Sequence, residues 1–86
     1  MHIVTSKQFD KELSRLSPKV RVAFLSKFEL FAANEYDEIL HNHKLHPPFE
    51  NYRSINITGD YRLIYKKINP TSILLYRIGT HSQLYE

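Results

Sequence analysis

Eighty-six residues leave room for one domain, residues 1–86, and 42% hydrophobic with 13% aromatic content is too apolar for a disordered segment. The absence of cysteine excludes disulfides and thiolate metal sites, and no apolar run is long enough for a signal peptide or a membrane span, so a cytoplasmic chain with no membrane partner is expected. A formal charge of +3, with five His that gain charge under mildly acid conditions, suits a polyanionic partner without requiring one.

His2-Ile3-Val4 reads as a short strand closed by Thr5-Ser6. Ser6 is a natural N-cap for a helix whose apolar stripe is Phe9, Leu13 and Leu16. Ser17-Pro18 marks a second start, with Ser17 as cap and Pro18 in the first position, where its missing N–H does no harm. That helix should run to about Ala33, burying Val20, Phe24, Phe28 and Phe31 and turning Lys19, Arg21, Lys27 and Glu29 to solvent. So short a link predicts an antiparallel αα-hairpin.

From Asn34 to Phe49 the pattern is irregular, a loop with a helical turn at Asp37–Leu40 and three closely spaced His at 41, 43 and 46. Tyr52–Ile57 alternates as a strand, with Ile55 and Ile57 on one face and Tyr52, Ser54 and Asn56 on the other. Thr58-Gly59-Asp60 predicts a hairpin turn with Gly59 free to take a positive φ. Tyr61–Ile68 is a second strand, Asn69-Pro70-Thr71 a turn and Ser72–Gly79 a third strand. The expected fold is α+β: two N-terminal helices packed on one face of a twisted, mainly antiparallel sheet, in the order βααβββ. The opposite face should be partly open, with Asn56 on it; alternation does not settle the side taken by Arg62.

His43-Lys44-Leu45, Tyr52-Arg53, Gly59-Asp60-Tyr61-Arg62-Leu63-Ile64-Tyr65-Lys66 and Gly79-Thr80-His81-Ser82-Gln83-Leu84-Tyr85 resemble the RelE/ParE superfamily of toxins from bacterial toxin–antitoxin pairs, and within it the YafQ branch. The resemblance covers the whole chain, and its specific part is the C-terminal half. It implies a ribosome-dependent endoribonuclease of mRNA, silenced by a cognate antitoxin. It also implies site positions: His43 in the His-x-Leu motif, Asp60 at the hairpin, His81 in the Gly-Thr-His motif and the aromatic Tyr85. Where the branch has a second His, this chain has Asn56, which can hydrogen-bond a phosphate but cannot exchange a proton near neutral pH. Arg62 matches a basic position of other RelE-like toxins.

Cleavage of RNA through its own 2′-OH needs a base, an acid and groups that hold the developing phosphorane charge. His81 is the candidate acid or base, with Asp60 as its partner or as the base itself, and His43 is the other proton-transfer candidate. Arg62 would hold the phosphate. The candidate substrate contacts are Tyr85, by stacking, with Asn56, Arg53 and Lys66. Structural readings compete: Asp60 as an ordinary turn residue, Arg62 paired with Asp60 or Glu50, His81 as a strand-end cap, Tyr85 closing the core edge, Lys66 and Lys67 as a solvated edge. The three loop His lack a carboxylate in ligand register, so neither a metal nor a small-molecule cofactor is expected. Asn56 also leaves open a weak family member that binds antitoxin or ribosome without cutting, and the gyrase-directed branch is a more distant alternative. The expected site has the His81 imidazole and the Asp60 carboxylate converging over one hollow; the two on opposite surfaces with no cationic cavity between them would sink the enzyme reading.

Overall fold

Serine starts both long helices. In the computed structural model, which describes residues 1–85, Ser6 is extended (φ −80°, ψ 159°) and its Oγ accepts the Phe9 N–H at 2.9 Å, opening α1 (Lys7–Ser14). Ser17 caps α2 (Pro18–Ala33) by accepting the Val20 N–H at 3.3 Å, with Pro18 in the first turn as expected. Arg21 is exposed, yet it closes the hairpin. Its Nη2 donates to the carbonyls of Leu13 and Ser14 at 3.3 Å and of Leu16 at 3.5 Å, where α1 runs out of internal partners.

The helices lie against a five-stranded sheet ordered β1-β5-β4-β3-β2: β1 (His2–Thr5), β5 (Ser72–Thr80), β4 (Tyr61–Asn69), β3 (Arg53–Asn56) and β2 (His43–Lys44). β1 runs parallel to β5 and the other pairs are antiparallel. Phe9, Phe24 and Phe31 meet Ile55, Ile57, Leu63, Tyr65, Ile73, Leu75 and Ile78 in one hydrophobic core. The rings of Phe24, Phe28 and Phe31 stack in sequence along α2, and Phe31 meets Tyr65 edge-on at 4.9 Å. Among the described residues no helix is long and apolar enough to cross a membrane.

Three expectations need correction. His43–Lys44, placed in a loop, is a two-residue strand paired to Ser54 and Arg53, too short to show any period. The segment after Thr80 is not a bare strand end but a helical turn, α3 (His81–Tyr85). Thr80 Oγ1 accepts the Gln83 N–H at 3.2 Å and Gln83 Oε1 accepts the Thr80 N–H at 2.9 Å, a reciprocal capping box. Gly79 makes room for it, since a Cβ there would lie 2.9 Å from that same Gln83 oxygen. Finally, Gly59 does not use a positive φ; the left-handed positions are His41 (48°) and Asn51 (71°). The helical turn expected at Asp37–Leu40 is a 3-10 turn, Glu38–Leu40, capped by Asp37.

β1 covers β5 only from Ser72 to Leu75, leaving the rest of that edge unpaired. Ser6 and Glu12 complete it. Ser6 N donates to Leu75 O at 3.1 Å and Ser6 Oγ to Tyr76 O at 2.7 Å. Glu12 Oε1 accepts the Ile78 N–H at 3.0 Å while its carboxylate takes a forked bond from Arg77, with Nη2 to Oε2 at 2.6 Å. Burial alone would raise the Glu12 pKa, but Arg77, the Ile78 N–H and Gln8 together hold it below the ordinary 4.5.

A depressed carboxylate pKa stabilises the fold fully above the unfolded value, and that stability is lost as pH falls through the folded one. Glu12→Gln should therefore lower stability by about 1–3 kcal/mol at neutral pH. Denaturant unfolding should show the gap between the two proteins closing as pH drops below 4.5; a gap independent of pH would rule out this role for the charge.

Candidate active site

The face of the sheet turned away from the helices carries two cross-strand rows. Asn56 pairs with Arg62, and Arg62 with Gly79; beside them His43 pairs with Ser54, Ser54 with Ile64, and Ile64 with Arg77. Partners in an antiparallel ladder share a face, which settles the side taken by Arg62. Arg77 needs a further device. The register shifts between Ile64 and Tyr65, leaving Tyr76 as the extra residue, so Leu75 enters the core while Arg77 faces the opposite side.

These rows floor a cleft of about 930 Å³. One wall is β2 with the His46–Phe49 loop, and the other is α3, which presents His81, Leu84 and Tyr85. The rings of Phe49 and Tyr85 meet at 5.8 Å, and those of His81 and Tyr85 at 4.8 Å, one helical turn apart. The lining holds Lys44, Arg62, Arg77 and four His, with no carboxylate among the described residues. Arg77 is matched by Glu12, whereas Arg62 and Lys44 have no carboxylate partner among the described residues. Arg62 is held instead by three carbonyls, those of Thr58, Gly59 and Tyr61, each 3.1 Å from Nη1. The concave surface is thus suited to an anion.

Of the residues singled out in the sequence, His43, Asn56, Arg62, His81 and Tyr85 line this cleft. Asp60, Arg53 and Lys66 do not. The Asp60 side chain is exposed and, among the described residues, bonds neither His81 nor Arg62; the contact with His81 runs through the main chain, His81 N to Asp60 O at 3.1 Å. The physical reason is the turn: Asp60 immediately precedes β4, and its carbonyl is taken by the first residue of α3. Arg53 lies on the helix-side face, donating to Asn42 Oδ1 at 2.7 Å and resting over the Tyr36 ring. Lys66 shares the cleft-side face of β4 but lies over the Tyr52 ring, 5.5 Å from its centre.

The cleft also contains groups that sequence reasoning did not assign. Ser54 Oγ is fully buried without a hydrogen-bond partner, the one such side-chain atom among the described residues. A hydroxyl left so costs about 1–3 kcal/mol. His43 is exposed, and its Nδ1 sits 2.8 Å from the His41 carbonyl. A carbonyl can only accept, so Nδ1 carries the hydrogen and the neutral ring offers Nε2 as a base. The left-handed φ of His41 accompanies the 3-10 turn it terminates, just before His43.

A polar clamp holds that segment down. Asn42 Nδ2 donates to Tyr65 OH at 2.7 Å and to Glu35 O at 3.0 Å, and Tyr65 OH donates to Glu35 Oε2 at 2.9 Å. Burial and the neighbouring Glu35 carboxylate push the Tyr65 hydroxyl well above its usual range, so it remains a donor. Glu35 also pairs with Lys67 at 2.6 Å, which raises the Lys67 pKa. Among the described residues, no group of three or more His, Cys, Asp or Glu is disposed to hold a metal.

The model of a family described as the bacterial toxin of the type II toxin–antitoxin system, YafQ, matches residues 1–86. Several solved structures share the fold. YafQ from E. coli strain BL21(DE3) superposes with a TM-score of 0.76 at 23% identity, over 98% of this chain and 97% of that one. An E. coli DinJ–YafQ complex gives 0.73 at 24%, over 98% and 97%. A metal-bound toxin from Helicobacter pylori gives 0.73 at 28%, over 99% of each chain. No curated protein sequence matches.

The clamp beneath His43 can be loosened without touching the cleft. Tyr65→Phe should destabilise the fold by about 1–2 kcal/mol and speed amide hydrogen exchange at Asn42, His43 and Lys44 relative to the core of β4 and β5. Uniform exchange across the sheet would show that the clamp is not local.

Proposed function

The chain belongs to the YafQ family of toxins from bacterial type II toxin–antitoxin systems, and from that premise we propose that it is a cytoplasmic endoribonuclease that cleaves mRNA on the ribosome. The observation that carries the reading is the gathering of His43, Asn56, Arg62, His81 and Tyr85 around one cationic cleft on the uncovered face of the sheet. His43, with Nδ1 engaged by the His41 carbonyl, takes the 2′-OH proton at Nε2. His81 then donates to the leaving 5′-oxygen. Its position follows from the Asp60 carbonyl and the capping box, so Asp60 acts on the site through its main chain.

Arg62 faces the phosphate already organised by three carbonyls, so little side-chain freedom remains to be lost on binding. Tyr85, supported edge-on by Phe49, offers a ring for a nucleobase. The E. coli relative occurs in a complex with DinJ; by that likeness, a cognate antitoxin is the partner that silences this chain.

Asn56 favours one rival. With an amide where the family resemblance implies an imidazole, the protein would engage ribosomes or antitoxin and leave mRNA intact. The two readings separate in vitro. On the first, wild-type protein added to translating ribosomes yields cut mRNA, and His81→Ala lowers the single-turnover rate by about 10²–10⁴-fold. On the second, ribosomes are captured with intact mRNA, and Asn56→His brings cleavage up from background. Wild-type protein that neither cuts mRNA nor slows bacterial growth on expression would overturn the enzyme reading.

A further inference from the structure

Ser54 has no structural reason to be a serine. It lies in β3 between His43 on β2 and Ile64 on β4, within the cross-strand row that floors the cleft. It is fully buried, it lines the cleft, and its Oγ has no hydrogen-bond partner among the described residues. Ile64 has no acceptor to offer, and His43 Nδ1 already faces the His41 carbonyl. The large majority of buried side-chain hydroxyls in folded proteins are paired, to protein or to ordered water, because an orphan forfeits its hydration for nothing. An alanine would fill nearly the same volume at lower cost.

We propose that Ser54 is a substrate-contacting residue, its hydroxyl donating a hydrogen bond to a non-bridging oxygen of an RNA phosphodiester seated in the cleft. The cleft fixes the chemistry of the partner. Its lining holds cations and imidazoles and no carboxylate among the described residues, so the group that meets the floor is an anion, and an anionic oxygen accepts. Ser54 directly neighbours the candidate base His43 across the strand pair, and Asn56 projects from the same face of β3 two residues on. Hydroxyl and amide together would orient the phosphate toward that base. Because the Ser54 oxygen is shielded from bulk water, the bond forms without competition and counts for more than a surface contact. Reaching it requires the neighbouring side chains of the floor to part as the strand settles. The assignment deepens the nuclease reading and rests on it for the identity of the ligand.

The test has two arms. In the first, NMR titration of folded wild type, Ser54→Ala and Ser54→Thr with adenosine 3′-monophosphate measures phosphate binding without catalysis. Wild type should bind, Ser54→Ala about tenfold more weakly, and Ser54→Thr close to wild type. The unfolding midpoint of Ser54→Ala should be unchanged or raised. In the second arm, cleavage of ribosome-bound mRNA is compared for wild type and Ser54→Ala, and the variant should be slower by a similar factor.

Equal binding by wild type and Ser54→Ala overturns the assignment, as does a wild type that binds no nucleotide. A lowered midpoint with unchanged binding also overturns it and makes the hydroxyl structural, as the seat of a buried water. Should Ser54→Thr not fold, the alanine variant decides alone. A wild type that cuts mRNA as fast as Ser54→Ala removes Ser54 while leaving the enzyme reading intact. A wild type that binds nucleotide through Ser54 but never cuts removes the enzyme reading and keeps the phosphate contact.

Discussion

The arrangement turns on how the edge of β5 is finished. β1 ends four residues along that strand, and what lies beyond would be an unpaired edge running to the cleft. A carboxylate on α1 stands in for the missing strand: Glu12 takes the Ile78 N–H and forks to Arg77. One side chain thereby docks a helix, satisfies the edge and fixes a guanidinium on the far face. Both charges are largely removed from solvent, with side-chain exposures of 23% for Arg77 and 13% for Glu12, so each depends on the other in a way that surface pairs do not. β5 leads directly into His81, and the position of that imidazole inherits this support.

The opposite wall is held by different means. Asn42 ties the His43 segment to the core residue Tyr65 on β4, 23 residues further along the chain, and to Glu35, 7 residues back, just after α2. Arg53, offered as a substrate contact, belongs to this clamp through Asn42 Oδ1. The two flanks of the cleft are thus anchored independently, one through β5 and α1, the other through β4 and the segment following α2. Between them lies a floor whose side chains are set by strand register alone. Such a division suits a site in which the reacting groups must be rigid and the substrate must enter from outside.

What could be read from the sequence was what local chemistry decides. Ser6, Ser17 and Pro18 mark helix starts wherever they occur before an amphipathic run, and the Phe24, Phe28 and Phe31 spacing defines a buried stripe without help from the rest of the chain. The Ile55 and Ile57 alternation placed Asn56 on the cleft side for the same reason. Arg77 was beyond reach because the bulge at Tyr76 reverses the alternation, and a bulge depends on the partner strand rather than on its own residues. The Asn42 clamp joins positions with no periodic relation. The Thr80–Gln83 capping box was legible as a Thr-x-x-Gln pair, but a helix of five residues shows no stripe to accompany it. Adjacency misleads at Asp60: the turn that brings its carbonyl to His81 leaves its carboxylate in solvent.

The parallel pairing of the first strand with the last has a temporal side. Ser6 and Tyr76, joined by a hydrogen bond, lie 70 residues apart, and β1 has no strand partner until β5 exists. A polypeptide emerging N-terminus first can make its helical hairpin early, but neither sheet margin nor cleft can close before residues 72–85 have been synthesised. The topology thus ties completion of the cleft, with its α3 wall of His81, Leu84 and Tyr85, to the arrival of the C-terminal segment.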